Sequence, residues 1–364
     1  MAATSALHNT SGVSSENISE AISRGVGYLY QHQYPNGEFC VYISGHDPMT
    51  DGCNPDSNVF PTAIISSSLL FLQGTPRVEE ILDKSAAFLL EQAGWGASWN
   101  YYTRYHALRS LCPSDADDTC YAAAFLSARK IDFPKDANVS LLLSNRDRLG
   151  LFYTWFTFRL RWNTNRDYWR LVRSEFRHPV KTFLFWLKNE LGRNDVDGVV
   201  NANVLYYFGD TDVTQPVIKF LIGIIENEKE GDCDKWYRNP FSVYYFITRN
   251  YYAGILKLEP CRQPILERIL ATAKPDGRLG KTVLDTALNV CSFLNIHYYG
   301  EELDAAIDFL LKSQQENGGW ERWRLYGGPS MSVGWGSEEL TTGFCLEALS
   351  RYHVIKVAEA KETS

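Results

Sequence analysis

The sequence predicts an all-α fold, a single (α/α)6 toroid or barrel of alternating inner and outer helices. Three observations carry that expectation. Apolar residues recur mostly at helical spacing, while period-2 runs of Val, Ile and Thr are scarce. Pro, Gly, Asn and Asp break the chain every 15 to 25 residues. A unit of amphipathic helix, Gln, Gly turn and aromatic residue recurs along it.

Taken in order, residues 1–16 are small and polar and read as a disordered lead. A helix opens near Asn17 and runs to Gln33, followed by Gly37 and Phe39. A looser copy places Gln92 after Phe88, then Gly96 and Trp99. Residues 269–279 keep only the Pro-Asp-Gly turn, and the last copy has Leu310, Gln314, Gly318 and Trp320. After each turn a second helix begins with a small polar residue and runs apolar; its six starts are near Pro61, Asp117, Val200, Phe241, Leu284 and Glu339. Six such helices, apolar nearly all round, bury themselves by closing into a ring behind six amphipathic ones, with an open solenoid as the competing arrangement. One domain is expected over residues 17–355, with a frayed tail at 356–364.

The length of 364 residues suits roughly two ordinary domains of ~150 residues or one large core. A net charge of -7 gives no footprint for nucleic acid. No apolar run reaches the ~18 residues a membrane span needs, and the eight cysteines show no CxxC pair, so a soluble cytoplasmic protein with reduced thiols is expected. One stretch departs from the pattern. Residues 146–190 hold ten Lys/Arg against four Asp/Glu, with four Trp. Such a segment can form a solvated outer helix pair, the preferred reading, or sit on a membrane surface as a peripheral contact.

The most informative residues are Asp115, Asp117 and Asp118, at the start of the second inner helix. Acids are favoured at helix N-termini, where they are normally solvated. Here the following residues are apolar on every side, which places the first turn inside the ring. Three buried anions repel one another and lose hydration, so at least one proton stays on the cluster despite the helix dipole.

Residues 115–119, Asp-Ala-Asp-Asp-Thr, resemble the DxDD-T signature of class II terpene cyclases, the squalene–hopene cyclase family. The Gln–Gly–aromatic units resemble that family's QW motifs. The similarity spans most of residues 20–353, and the chain has room for one of the usual two helical domains. It is therefore most similar to the monodomain cyclases of bacterial meroterpenoid pathways. The resemblance implies that Asp117 is the proton donor, that Asp115 and Asp118 set its acidity, and that Asn203 occupies the donor's partner position, often a His in the family. Asn cannot carry a positive charge, and His106 is a remote substitute.

Protonating an alkene makes a carbocation, so the cavity must be dry and lined with aromatic faces that stabilise charge without attacking it. Candidates near the acid are Phe60, Trp99, Tyr101, Trp236, Tyr237, Tyr245, Trp320 and Trp335, about half of which are expected to line the cavity. In the repeats, Gln33, Gln92, Gln314 and Trp320 are expected to clamp the outer ring. The expected partner is a lipophilic isoprenoid, a prenylated hydroxybenzoate in preference to a prenyl diphosphate of drimenyl or copalyl type. No resident metal or cofactor is implied; Mg²⁺ would enter only with a diphosphate, and residues 46–56 read more simply as a turn-rich loop than as its site. Competing readings are a zinc-dependent prenyltransferase using Asp118 and Cys120, for which His297 lies near a helix end; a toroidal glycosidase; and a lipid-binding scaffold without catalysis.

Overall fold

Fourteen α-helices form among the described residues, because apolar side chains recur on one face of some and on every face of others. The computed structural model describes residues 13–362 apart from 47–48, 51, 178, 189–190 and 329–331. In chain order the elements are α1 (Ser15–His32), β1 (Val41–Ser44), β2 (Asn54–Asp56), α2 (Phe60–Leu69), α3 (Pro76–Gln92), α4 (Ala116–Ala128), α5 (Lys135–Leu143), α6 (Arg166–Val172) and α7 (Pro179–Lys188). They continue with α8 (Gly198–Phe208), α9 (Gln215–Glu226), α10 (Pro240–Tyr252), α11 (Glu259–Leu270), α12 (Val283–Asn295), α13 (Glu301–Lys312), β3 (Tyr326–Gly327), β4 (Gly334–Gly336) and α14 (Glu338–Glu362).

All six helices expected to be apolar all round are present, as α2, α4, α8, α10, α12 and α14, starting within two residues of the expected positions. Each packs on the next, and α14 packs back on α2, so the order closes on itself. Every residue of α12 is buried. By contrast, α1 buries one stripe through Ile18, Ala21, Val26 and Leu29, as its spacing dictates.

The Gly turns have a common geometry. Gly37, Gly277 and Gly318 all have φ near +90°. A Cβ at each would collide with a backbone carbonyl of another outer helix, at Lys84, Ala305 and Arg24 respectively. The preceding Gln side chains tie the same helices together. Gln33 Nε2 donates to the Gly37 carbonyl (3.1 Å) and the Ile81 carbonyl (3.0 Å). Gln314 Nε2 donates to those of Gly318 and Ala21, both at 2.8 Å. Gln92 does otherwise: its Oε1 accepts from the Arg104 amide at 2.7 Å.

Four expectations need correction. A small antiparallel sheet, order β2-β1-β4-β3, joins residues 41–56 to 326–336; its strands of two to four residues are too short to show a period of two. The tail does not fray at 356: α14 continues to Glu362, and Lys356 pairs with Asp304 (3.6 Å) and Glu359 (3.2 Å). Of the lead, residues 1–12 lie outside the described residues, and Ser15 and Glu16 already belong to α1, capped by the Ser14 side chain. Residues 146–190 do not form an outer helix pair: residues 147–165 contain no helix, and short α6 and α7 follow.

Candidate active site

The acid segment is gripped on both sides before α4 begins. The Asp115 amide donates to the Trp99 carbonyl (3.2 Å), and the Ala116 amide to that of Thr154 (2.7 Å). Asp115 then caps α4, its Oδ1 accepting from the Asp118 amide at 2.8 Å, so it serves a local structural need as well. One residue into the helix, Asp117 points away from that cap. Its Oδ1 accepts a short hydrogen bond from Asn203 Nδ2 on α8, and its Oδ2 accepts one from Tyr237 Oη at 3.0 Å.

Each donor is itself held. Asp234 Oδ1 accepts from the amides of Trp236 (2.8 Å) and Tyr237 (3.1 Å), while its Oδ2 caps the Val199 amide. Asn203 Oδ1 accepts from Arg249 Nη2 at 2.5 Å. This buried guanidinium lies over Tyr206 (4.2 Å), Tyr121 (4.5 Å) and Phe246 (5.0 Å). The positive charge that Asn203 lacks therefore stands one side chain behind it. Nothing in the local pattern around Arg249 marked it, because its relation to the acid arises only from packing of α10 on α8.

Burial pushes the Asp117 carboxyl up to about 6, against the opposing pull of Asn203, Tyr237 and Arg249. Burial also raises Asp115 and Asp118, with repulsion from Asp117 adding to both and the Asp115 charge adding at Asp118. All three acids thus favour keeping a proton, with desolvation ahead of repulsion as the cause. The Asp118 carboxyl shares a hydrogen bond with that of Asp115, which helps to keep the proton on Asp118.

Asp117 lines a cavity of about 70 Å³. Five of the eight expected aromatics line it: Phe60, Tyr101, Trp236, Tyr237 and Trp335. Tyr326 and Trp155 also line it; Tyr326 stands 5.7 Å from Phe60 edge-on and stacks at 5.8 Å on Trp335. Both lie in segments whose position depends on the sheet and on non-helical chain, which the helical pattern did not register.

The other three aromatics are placed elsewhere. Trp99 and Trp320 are buried in the core, donating Nε1 to the Leu89 carbonyl (2.7 Å) and the Leu310 carbonyl (2.8 Å). For Trp320 this leaves the clamping role and removes the cavity one. Tyr245 donates to Glu347 Oε2 at 2.9 Å instead of facing the cavity. His106 pairs with Asp56 at 3.1 Å and is no partner of Asp117. His297 is exposed after α12, and among the described residues no group of His, Cys, Asp and Glu converges to hold a metal. Asp47 and Asp51 of the 46–56 loop lie outside the described residues.

No protein-family model matches the sequence, and a search of curated proteins finds no match. Solved structures do match. A variant of the type II terpene cyclase MstE from Scytonema, in complex with geranylgeranyl dihydroxybenzoate as substrate, superposes with a TM-score of 0.68 at 16% identity, over 94% of this chain and 99% of that one. The chain has the fold of a type II terpene cyclase. The resemblance read from residues 115–119 and the Gln–Gly–aromatic units is borne out at the level of fold. ent-Copalyl diphosphate synthase from Streptomyces platensis matches over 80% of this chain and 50% of its own length, with a TM-score of 0.51 and 15% identity. The cyclase fold also resembles a possible member of the GH105 family from Salmonella enterica, at a TM-score of 0.52 and 10% identity over 94% of this chain and 95% of that one. Architecture of this kind serves unrelated chemistries, so the residues around Asp117 must decide among them.

Proposed function

We propose that this chain is a monodomain class II terpene cyclase, an intramolecular isomerase in which Asp117 protonates the terminal alkene of a long prenyl chain. One observation carries the proposal: of the three acids that line a cavity walled by aromatic rings, Asp117 is held through both oxygens, by Asn203 and Tyr237. Each oxygen keeps a lone pair for the transferable proton. As the alkene π electrons take that proton, the positive charge moves to carbon and the negative charge to Asp117. The Asn203 and Tyr237 donors, with Arg249 behind Asn203, stabilise that carboxylate. Ring closures carry the cation past Phe60, Tyr101, Trp236, Tyr326 and Trp335, whose faces attract it without capturing it. Loss of a proton from carbon ends the sequence with no change in mass.

We read the closed order of inner helices and the surrounding amphipathic ones as an (α/α)6 toroid with QW-type repeats, spanning residues 17–355 as one domain. The turns at Gly37 and Gly318, each tied down by the preceding Gln, support that reading. The preferred substrate is a prenylated hydroxybenzoate, by likeness to the MstE complex with geranylgeranyl dihydroxybenzoate. A prenyl diphosphate is the second reading. It is favoured by an adjoining cleft that shares Trp236 and Tyr326 with the acid cavity and carries Arg238, Lys274, Lys281 and Arg324. Such a rim suits a carboxylate or a diphosphate. Protonation calls for no cofactor, and Mg²⁺ would serve only a diphosphate. A lipid-binding scaffold offers no reason to bury three carboxyls together.

The test is incubation with a panel of polyprenyl compounds, with mass spectrometry for cyclic isomers of unchanged mass. Turnover of a prenylated hydroxybenzoate that survives EDTA supports the preferred substrate. Activity lost to EDTA and restored by Mg²⁺ transfers the assignment to a diphosphate. Absence of any isomer across the panel rejects the cyclase.

A further inference from the structure

The small sheet does more than carry Tyr326 and Trp335 to the cavity: it also sets a buried carboxylate behind one of them. Asp56 on β2 pairs with Val41 of β1, and Trp335 on β4 pairs with Ile43 of the same strand. Val41 and Ile43 are two positions apart, so Asp56 and Trp335 share a face of the sheet. Trp335 Nε1 donates to Asp56 Oδ2 at 2.7 Å, with both residues buried. Two more side chains hold the carboxylate. Asn58 Nδ2 donates to Oδ2 at 3.4 Å and to the Tyr101 hydroxyl oxygen at 2.9 Å. His106 Nε2 lies 3.1 Å from Oδ1, and the Leu108 amide donates to its Nδ1 at 3.1 Å, which puts the ring proton on Nε2, facing Asp56. Trp335 lines the cavity and Asp56 does not, so the indole separates this carboxylate from bound substrate.

We propose that Asp56 is a positioning residue for Trp335: its charge, carried through the N–H hydrogen bond, enriches the indole face and so stabilises carbocations formed late in the cyclisation. The aromatic wall gives the order. Tyr237 donates to Asp117, Tyr326 stands 6.0 Å from Tyr237, and Trp335 stacks on Tyr326 at 5.8 Å. Trp335 is thus two rings removed from the acid, on the path of a cation that starts beside Asp117 and advances as rings close. A carboxylate inside the cavity would bond to that cation or take a proton from it. Behind the indole, Asp56 attracts the charge and can do neither. This role rests on the cyclase reading; the hydrogen bond that carries it does not.

The experiment compares the full chain with Asp56→Asn, Trp335→Phe and the double variant. In nitrogen-15-labelled protein without substrate, the indole NMR signal that Trp335→Phe deletes belongs to Trp335. Its proton is expected to move upfield in Asp56→Asn by more than any other indole signal, as a charge-assisted bond becomes a neutral one. With a polyprenyl substrate that the wild type cyclises, Asp56→Asn is expected to raise the share of isomers with fewer rings about fivefold or more, relative to the fully cyclised product. Trp335→Phe, which keeps a ring but has no N–H, should do the same, and adding Asp56→Asn to it should change the share no further. A merely structural role would lower the yield of every product alike and leave the ratio where it is. An unshifted indole signal, an unchanged ratio, or an undiminished effect of Asp56→Asn in the Trp335→Phe background each overturns the proposal. A wild-type chain that makes no isomer rejects the cyclase and this role with it, while the same product ratio in wild type and Asp56→Asn rejects this role alone.

Discussion

Arg249 does not touch Asp117; Asn203 stands between them, accepting from Arg249 on Oδ1 and donating to Asp117 through Nδ2. The relay orients the Asn203 amide, because a guanidinium can only donate and so requires the oxygen on its own side. It also sets a cation behind the acid without forming an ion pair that would strip its proton.

Replacing Asp117 by Asn is expected to leave the fold intact and lower turnover by about 10³-fold or more, the scale of a lost general acid. Product mass spectrometry together with circular dichroism checks this. A fully active variant would reject Asp117 as the donor.

The same substitution has a pH-dependent effect on stability. Below the ordinary carboxylate range the side chain is protonated in both folded and unfolded states, so nothing differs. As pH rises through about 6, the folded state must bury an anion that the unfolded state carries freely, and stability falls. Asp117→Asn removes that penalty. It is expected to match the wild type at about pH 4 and to exceed it by up to about 3 kcal/mol at about pH 8, from the shift of 3.8 to about 6. Denaturant unfolding at the two pH values measures the difference; a variant equally or less stable at the higher pH contradicts the burial of this group.

Arg249→Met is expected to weaken the acid. Activity requires the protonated carboxyl, so it declines as pH rises through the value for Asp117. Without the cation that decline should move to higher pH by about one unit while the maximal rate falls about tenfold. Arg249→Lys, which keeps the charge, should restore much of the profile. A merely structural role would lower the yield of folded protein and leave the profile where it is.

Tyr237→Phe keeps the aromatic wall and removes one of two hydrogen bonds to Asp117. A loss of about tenfold in kcat with little change in KM is expected, since the bond matters most once the carboxylate has formed. Tyr237→Leu should cost more because it also removes the ring.

Gly318→Ala tests the turns. An added methyl would meet the Arg24 carbonyl at a backbone angle that disfavours side chains. A loss of about 2 kcal/mol or more is expected, read as a lower unfolding temperature. Alanine at Gly74, which has a similar φ but open space around it, should cost less.

Much of the helical plan was legible because it is written locally. Val283 to Asn295 are apolar or small enough to be buried on all sides, and α1 shows its stripe within five turns. The sheet was not legible, because β3 and β4 are two and three residues long and β4 pairs with β1, 290 to 294 positions away. Trp99 and Trp320 were misplaced for a related reason. An aromatic after a Gly turn can face the cavity or the outer helices, and the Nε1 bonds to Leu89 and Leu310 take both rings outward.

By itself the amino-acid pattern determined the helices, the Gly turns and the cluster at Asp115, Asp117 and Asp118, since periodicity, turn chemistry and neighbouring charges act within a few residues. Only the tertiary structure decided what surrounds each carboxyl in the cavity that all three line. Asn203 lies 86 positions from Asp117 and Tyr237 lies 120, while Arg249 reaches the acid only through Asn203. Contacts over such separations depend on how helices close against one another, and the loss of water that makes Asp117 hold its proton more tightly exists only once they have closed.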